Sequence, residues 1–480
     1  MPRPPYIAIC LLSVCVLAYE VLLTRLFSIV LWHHYAYMII SAAMLGYGAS
    51  GTALTLLKEQ IAPHFGAAYI SAAAALAVLM PAAFWLAQQI PFNPLELLWD
   101  QTQPAKLLAV YLLMMLPFFC GGLGIGLVFA HFGKQSSRIY ACDIFGAGLG
   151  SLGIIAALFL VPPHKMLTAL TALALLAAAI AVVELKMRPK WLMETFIGLA
   201  VLAAVALPDV PVRPSPYKDL SQALNVAGAR VIEERSSPLG QVTVVENTRV
   251  PLRDAPGMSL NATGEPPPQL GVFVDGNGPS ALNRFDGDLA PLGYLDQLTS
   301  ALPYHLLERP RVLVLGAGAG SDVLQALYFG SAAVDAVELD RNVTDLVSQR
   351  YSDYAGDLYN RPGVHVYEAE ARGFVNTSDQ RHDLIQVALL DSFGTASAGL
   401  YGLSENYLYT VEALQAYLSR LTPGGMLAVT RWLTLPPRDA LKLFATAAAA
   451  LERSGVSNPG ARLVMIRGWK TVTLLVKNGE

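Results

Sequence analysis

Seven stretches of this chain are apolar over nearly the length needed to cross a lipid bilayer, and no other feature limits its fold so strongly. They run at about Tyr6 to Leu31, Tyr35 to Leu57, Ala67 to Gln88, Leu107 to Phe132, Ile139 to Val161, Met166 to Leu185 and Trp191 to Leu207. A helix needs roughly 20 such residues to span the hydrocarbon core, and the last run is marginal. The pattern predicts a polytopic α-helical membrane bundle of about seven spans over residues 1–207. The first run reads as a span and not as a cleaved leader. It lacks a small-residue cleavage site and continues through Glu20 and Arg25.

Small residues recur four apart at Gly46 and Ser50, Gly122 and Gly126, and Gly146 and Gly150, a spacing that lets helices approach closely. Pro81 and Pro117 fall inside runs and are expected to kink their helices. Glu20, Arg25 and Asp143 lie within or at the edge of spans, where an unpaired charge costs at least about 2.5 kcal/mol. They are expected to form interhelical pairs or to face a polar cavity serving a substrate or a proton. A homo-oligomer is compatible with such a bundle.

The distribution of Lys and Arg fixes the N-terminus on the cytoplasmic side. That side receives Arg3, Lys58, Lys134, Arg138, Lys186, Arg188 and Lys190, and the other mainly Lys106 and Lys165. Seven full spans then carry everything after Pro208 outward, away from the cytosolic pool of nucleotide-like cofactors. Either Trp191 to Leu207 does not cross, or the second half uses no such cofactor.

That second half differs in kind. Over the whole chain of 480 residues only 14% are charged, against about 25% in ordinary soluble domains, and the deficit lies almost entirely before Pro208. A net charge of −3 offers no basic surface to nucleic acid. Cys10, Cys15, Cys120 and Cys142 sit in apolar runs without metal-ligand spacing. No P-loop, zinc spacing, serine elbow or internal repeat is visible.

Residues 208–290 read as a proline-rich linker and a small β subdomain, with strands at Val242 to Glu246 and Leu270 to Asp275 separated by a long loop rich in Pro and Gly. Residues 291–480 then alternate apolar strands with helical stretches: VLVLGA, AVDAVELD, VHVYEA, LIQVALLD and GGMLAVTRW, with helices from Asp322, near Val343 to Tyr351, near Arg372 and near Glu412 to Arg420. Such alternation means a parallel sheet covered on both faces, a Rossmann-like α/β domain with its ligand at the carboxyl ends of the strands. After the first strand, Gly316, Gly318 and Gly320 form G-x-G-x-G, whereas the dinucleotide fingerprint wants glycine or alanine where Ser321 stands. NAD is thereby disfavoured. Glu338 ends the second strand, where a carboxylate can accept from ribose hydroxyls. Glu368 and Glu370 end the third and are candidates for an adenine amino group. Asp391 ends the fourth, over the place where the reacting end of a cofactor should lie. Together these argue for an adenosyl cofactor.

These residues resemble the polyamine aminopropyltransferases (spermidine synthases), and more narrowly their membrane-fused bacterial relatives. The likeness covers roughly Val231 to Gly455. It rests on the DG of FVDGNG (Asp275, Gly276), the Y-x-D of GYLDQLTSALP (Tyr294, Asp296), the glycine loop, VELD, and the aspartate of LLDSFGTASAGLYGLSENYLY, with LAYEVLLTRL and RIYACDIFGAGLGSLG as the fused membrane segments. The resemblance implies an S-adenosylmethionine-methyltransferase-type domain that takes decarboxylated S-adenosylmethionine, without a metal. It implies transfer of an aminopropyl group to an amine such as putrescine. Asp391 matches the catalytic acid and Tyr294 and Asp296 match positions that hold the amine, while Glu405 could add an anchor for a far nitrogen.

Three positions depart from the family pattern. Ala319 stands where soluble members carry an aspartate inside the glycine loop, Pro279 replaces a glutamine, and Gly394 replaces the aspartate three residues after the catalytic one. Each lost charge-assisted contact costs about 1.5–3 kcal/mol. Two alternatives therefore stay open: an S-adenosylmethionine-dependent methyltransferase of a membrane-associated acceptor, and a non-catalytic polyamine-binding or transport protein.

Overall fold

The computed structural model describes residues 3–31, 33–93, 96–97, 99–188, 191–206, 210–390 and 407–479. The chain divides into two compact units, Met1–Ser215 with Ser236–Pro238, and Pro216–Arg235 with Leu239–Glu480.

The apolar runs become α1 (Tyr6–Val30), α2 (His33–Ile61), α3 (Phe65–Ala87), α4 (Gln103–His131), α5 (Ser136–Leu158), α6 (Pro163–Glu184) and α7 (Trp191–Ala206). Contacts between residues fix their directions. Cys10 and Val14 of α1 lie against Gly146 and Gly150 of α5, so α1 and α5 run the same way; Ser50 and Leu54 against Gly122 and Gly126 make α2 parallel to α4. Leu12 meets Gly124 and Val16 meets Gly121, which sets α1 antiparallel to α4. The His131 ring stacks on Phe65 at 4.3 Å and Ala72 lies beside Gly124, so α3 opposes α4. The Glu184 carboxylate accepts from the amides of Ile7 and Ala8 at 3.1 and 2.9 Å, and Cys15 lies near Leu170, so α6 opposes α1. The first six helices therefore alternate in direction.

Among the described residues five helical stretches are long and apolar enough to cross a membrane, and the longest, Tyr37–Ala87, is two of these helices folded back at the Ala62–His64 turn. The expected seventh span, α7, has 16 described residues, about 24 Å at 1.5 Å per residue, against a hydrocarbon core of roughly 30 Å. Pro81 and Pro117 lie inside α3 and α4, which continue through them. Of the expected intramembrane charges, Asp143 accepts from the Ser13 hydroxyl at 2.5 Å, and Arg25 donates to Ser28, one turn along its own helix, at 2.5 Å.

The second unit holds two sheets. β1 (Ala229–Ser236), β2 (Gln241–Asn247), β3 (Gln269–Val274) and β4 (Asn277–Asn283) form a four-stranded sheet in chain order. The β3–β4 turn is the Asp275-Gly276 pair, both at positive φ (52° and 67°), the geometry of a tight two-residue hairpin. Asp275 also accepts from the Gln241 amide at 2.8 Å, which ties that turn to β2.

The larger sheet contains β5 (Arg311–Leu315), β6 (Ala333–Glu338), β7 (Val364–Glu368), β8 (His382–Val387), β9 (Leu421–Trp432), β10 (Leu463–Arg467) and β11 (Thr471–Lys477), in the order β10-β11-β9-β8-β5-β6-β7. The five strands from β7 to β9 are parallel, and β11 joins antiparallel to both β9 and β10. Alternation along each strand fills two cores. Val312, Val314, Val334, Ala336 and Leu384 point to one face, and Leu313, Leu315, Val337, Ile385 and Val387 to the other. Burial on both faces is why these strands read as continuous apolar runs. Strand order reverses between β5 and β8, so the crevice at their carboxyl ends is where a ligand fits. This is a Rossmann-like, methyltransferase-type sheet.

Candidate active site

Each glycine after β5 is held in the left-handed region, with φ of 79° at Gly316, 54° at Gly318 and 94° at Gly320. The amides of Gly316 and Ala317 both donate to the Val337 carbonyl of β6, at 2.9 and 3.0 Å. A Cβ on Gly316 would fall 1.9 Å from Leu390 Cδ2, and one on Gly318 would fall 2.6 Å from Ser280 Oγ. The loop is thus pressed between the β8 exit and β4, and the helix Ser321–Tyr328 follows it. Ser280 Oγ accepts from the Ala319 amide at 2.8 Å, and the Tyr359 hydroxyl donates to the Gly318 carbonyl at 2.7 Å. The Ala319 side chain itself is buried in the core.

Glu338 stands beside this loop at the end of β6. Its Oε2 accepts from the Gly318 amide at 2.9 Å, and its Oε1 from the amides of Leu339 and Asp340 at 2.9 and 3.0 Å. Glu370 caps the helix Ala371–Thr377, accepting from the amides of Arg372 and Gly373 at 3.0 and 2.6 Å. Glu368 accepts from the Thr344 hydroxyl at 3.3 Å. Asp391, Gly394 and Glu405 lie outside the described residues.

Tyr294 and Asp296 are not brought together. Both lie on the 3-10 turn Ala290–Gln297, where residues two apart point to different sides of the axis. Tyr294 is buried and donates to Asn283 Oδ1 at 2.9 Å. Burial raises its pKa, which keeps the hydroxyl a donor. Asp296 instead meets His305 Nε2 at 2.5 Å, and that ring packs edge-on against Phe329, just past the far end of the Ser321–Tyr328 helix. The position expected to hold an amine is therefore turned away from the glycine loop.

Two polar networks around Tyr294 escaped the sequence reading. In the first, Gln269 Nε2 donates to the Asp254 carbonyl at 3.0 Å and to Asn283 Oδ1 at 2.8 Å, while Asn283 Nδ2 donates to Ser321 Oγ at 3.2 Å. The β2–β3 loop is thereby linked through Tyr294's partner to the first residue after the glycine loop. Burial, and then the charge of Asp219, push the Asp254 carboxyl up to about 7. In the second, Gln386 of β8 donates to Asp322 and accepts from the Tyr304 hydroxyl at 2.8 Å. Burial pushes Asp322 up to about 6. Gln386 was the available signal: a fully buried amide in the apolar strand LIQV demands partners. Among the described residues no three His, Cys, Asp or Glu side chains converge as a metal site.

The unit is thus a Rossmann-like, methyltransferase-type α/β unit with a glycine loop latched by a strand-end carboxylate. No known family's profile matches the chain. It is 25% identical over 122 residues to a polyamine aminopropyltransferase of Korarchaeum cryptofilum (strain OPF8), covering 25% of this chain and 35% of that protein. It is 36% identical over 84 residues to the polyamine aminopropyltransferase of Alkaliphilus oremlandii (strain OhILAs), covering 17% and 29%. The chain thus matches about a third of the length of these curated relatives. Among solved structures it is matched by spermidine synthase from Thermotoga maritima, at 15% identity and a TM-score of 0.36, over 52% of this chain and 73% of that one. The expected likeness to the spermidine synthases is present, over part of the chain.

Proposed function

We propose that this is a membrane-bound aminopropyltransferase that moves an aminopropyl group from decarboxylated S-adenosylmethionine to an amine such as putrescine. The observation that carries the reading is the glycine loop tied to Glu338 at the switch in strand order. A carboxylate offers roughly four acceptor positions. Three of Glu338's are filled by backbone amides, which leaves one for a ribose hydroxyl, and Glu370 stands at the next strand for the adenine. The acceptor nitrogen attacks the carbon beside the sulfonium; as the C–N bond forms, the C–S bond breaks and its electron pair returns to sulfur, leaving methylthioadenosine. Asp391 takes the surplus proton from nitrogen. Glu405 holds the acceptor, while Tyr294, buried and committed to Asn283, and Asp296, committed to His305, are left out of direct contact with it.

Six full-length helices anchor the enzyme in the cell's inner membrane. With α7 too short to cross, an N-terminus inside places the catalytic unit in the cytosol, where an adenosyl donor is available. A second reading, methyl transfer from intact S-adenosylmethionine to a membrane-associated acceptor, is favoured by one observation. Ala319 puts a buried methyl group where an acid would face the donor's ammonium.

The deciding experiment supplies detergent-purified protein with each donor and putrescine and follows methylthioadenosine. Release from the decarboxylated donor, lowered about a hundredfold or more by Asp391→Asn, is the expected result. Binding of intact S-adenosylmethionine alone, with no methylthioadenosine formed, would sink the reading.

A further inference from the structure

A depression of about 420 Å³ opens between the loop joining β2 to β3 and the turn joining β10 to β11, within the range of roughly 300–1,000 Å³ typical of small-ligand sites. Backbone bonds fix its floor: the Ser259 amide donates to the Gln297 carbonyl at 2.8 Å, that of Thr299 to Gly257 at 3.1 Å, and that of Gly468 to Thr471 at 2.8 Å. Its position follows from register. Thr471, which opens β11, pairs with Trp432, the last residue of β9, so the 468–470 turn lies at the carboxyl edge of the parallel strands. The glycine loop occupies the same edge, three strand spacings or about 14 Å away.

The lining has a consistent chemistry. Leu260, Leu298, Ile466 and the indole of Trp469 supply apolar walls. Leu260 and Trp469 are 78% and 68% exposed. Its side chains offer donors in the Arg467 guanidinium, the Gln297 amide nitrogen and the indole N–H, and none of the lining residues is acidic. The Arg467 side chain makes no hydrogen bond or ion pair among the described residues, while its backbone pairs with Val472 in the β10–β11 ladder. A polyamine would find no carboxylate in the lining, whereas a carboxylate or phosphate matches the planar guanidinium fork.

We propose that this depression binds a small molecule carrying an anionic head, carboxylate or phosphate, on an apolar body. Arg467 takes the head, and Trp469, Leu260, Leu298 and Ile466 take the body. The site exists whatever group is transferred at the glycine loop. Such chemistry is shared by soluble metabolites and by lipid headgroups.

The test is calorimetric titration of the detergent-purified full chain with phenyl phosphate, benzylamine and dihexanoyl phosphatidic acid. Saturable binding of phenyl phosphate or of the phosphatidic acid, with none of benzylamine, is expected. Arg467→Ala should weaken it about tenfold or more, and Trp469→Ala should weaken it while leaving binding of the adenosyl donor unchanged. Tighter binding of phosphatidic acid assigns the site to a lipid, and tighter binding of phenyl phosphate to a soluble metabolite. Equal binding of benzylamine, no saturable binding of either anion, or an unaltered affinity in Arg467→Ala overturns the proposal.

Discussion

Glu338 Oε2 lies 2.9 Å from the amide nitrogen of Gly318. The carboxylate proposed to receive a ribose therefore also sets the shape of the glycine loop. Glu338→Ala should lose both effects. Charge-assisted contacts are worth about 1.5–3 kcal/mol each, so donor affinity should fall by roughly ten- to a hundredfold or more. Titration calorimetry with both adenosyl donors reads this out; a change under threefold would mean that Glu338 serves the loop's fold and not the ligand.

Gly318→Ala separates steric from conformational demand. At φ 54° a non-glycine residue costs roughly 1–2 kcal/mol, and the new Cβ would stand 2.6 Å from Ser280 Oγ. The variant should melt lower and bind the donor more weakly. Adding Ser280→Gly relieves the clash but also removes the acceptor of the Ala319 amide, so the double variant should lose less than the sum of the two single variants. Thermal melts of the single and double variants, read as a cycle, measure the two contributions.

The glycine loop and the strand-end carboxylates were legible because they are local: turn geometry dictates the glycines, and a strand's end is visible as the end of an apolar run. The five parallel strands were legible for the same reason. β10, β11 and the helix Arg438–Arg453 were not foreseen, since an antiparallel edge insertion is set by long-range pairing such as Trp432 with Thr471. The partner of Asp296, His305, was not legible, because spacing cannot tell which side of a 3-10 turn a side chain takes. Asp254 and Gln269 were hidden inside a long loop, where no periodicity marks a residue as buried. In the first unit the apolar runs were plain, yet which helices pack together became known only through contacts such as Cys10 with Gly146.

Two glycines of α5 offer a matched contrast. A Cβ on Gly146 would fall 2.2 Å from the Cys10 carbonyl oxygen, in the backbone of α1, whereas one on Gly148 meets nothing within 4 Å. Gly146→Ala should force α1 and α5 apart and lower the melting temperature of the detergent-solubilised protein. Gly148→Ala should leave it unchanged or raise it slightly, since alanine favours helix by about 1 kcal/mol. Equal effects at both sites would show that α5 does not pack on α1 through this face.

The raised carboxyls of Asp254 and Asp322 give stability a definite pH dependence. Burial pushes them from the ordinary 3.8 of an aspartate up to about 7 and about 6 in the folded unit. Between pH near 4 and 7 the unfolded chain therefore binds fewer protons than the folded one, and stability attributable to these groups falls as pH rises through that window, levelling off above it. The penalty is the burial of a forming carboxylate, which asparagine avoids at nearly the same shape. Asp254→Asn and Asp322→Asn should thus gain stability relative to the parent protein as pH is raised from 4.5 to 7.5, and the double variant should gain most. Melting temperatures of the detergent-purified proteins at unit pH steps measure it. Parent and variant curves that stay parallel would mean that neither carboxyl is held protonated, and that a water path reaches Asp254 and Asp322 in solution.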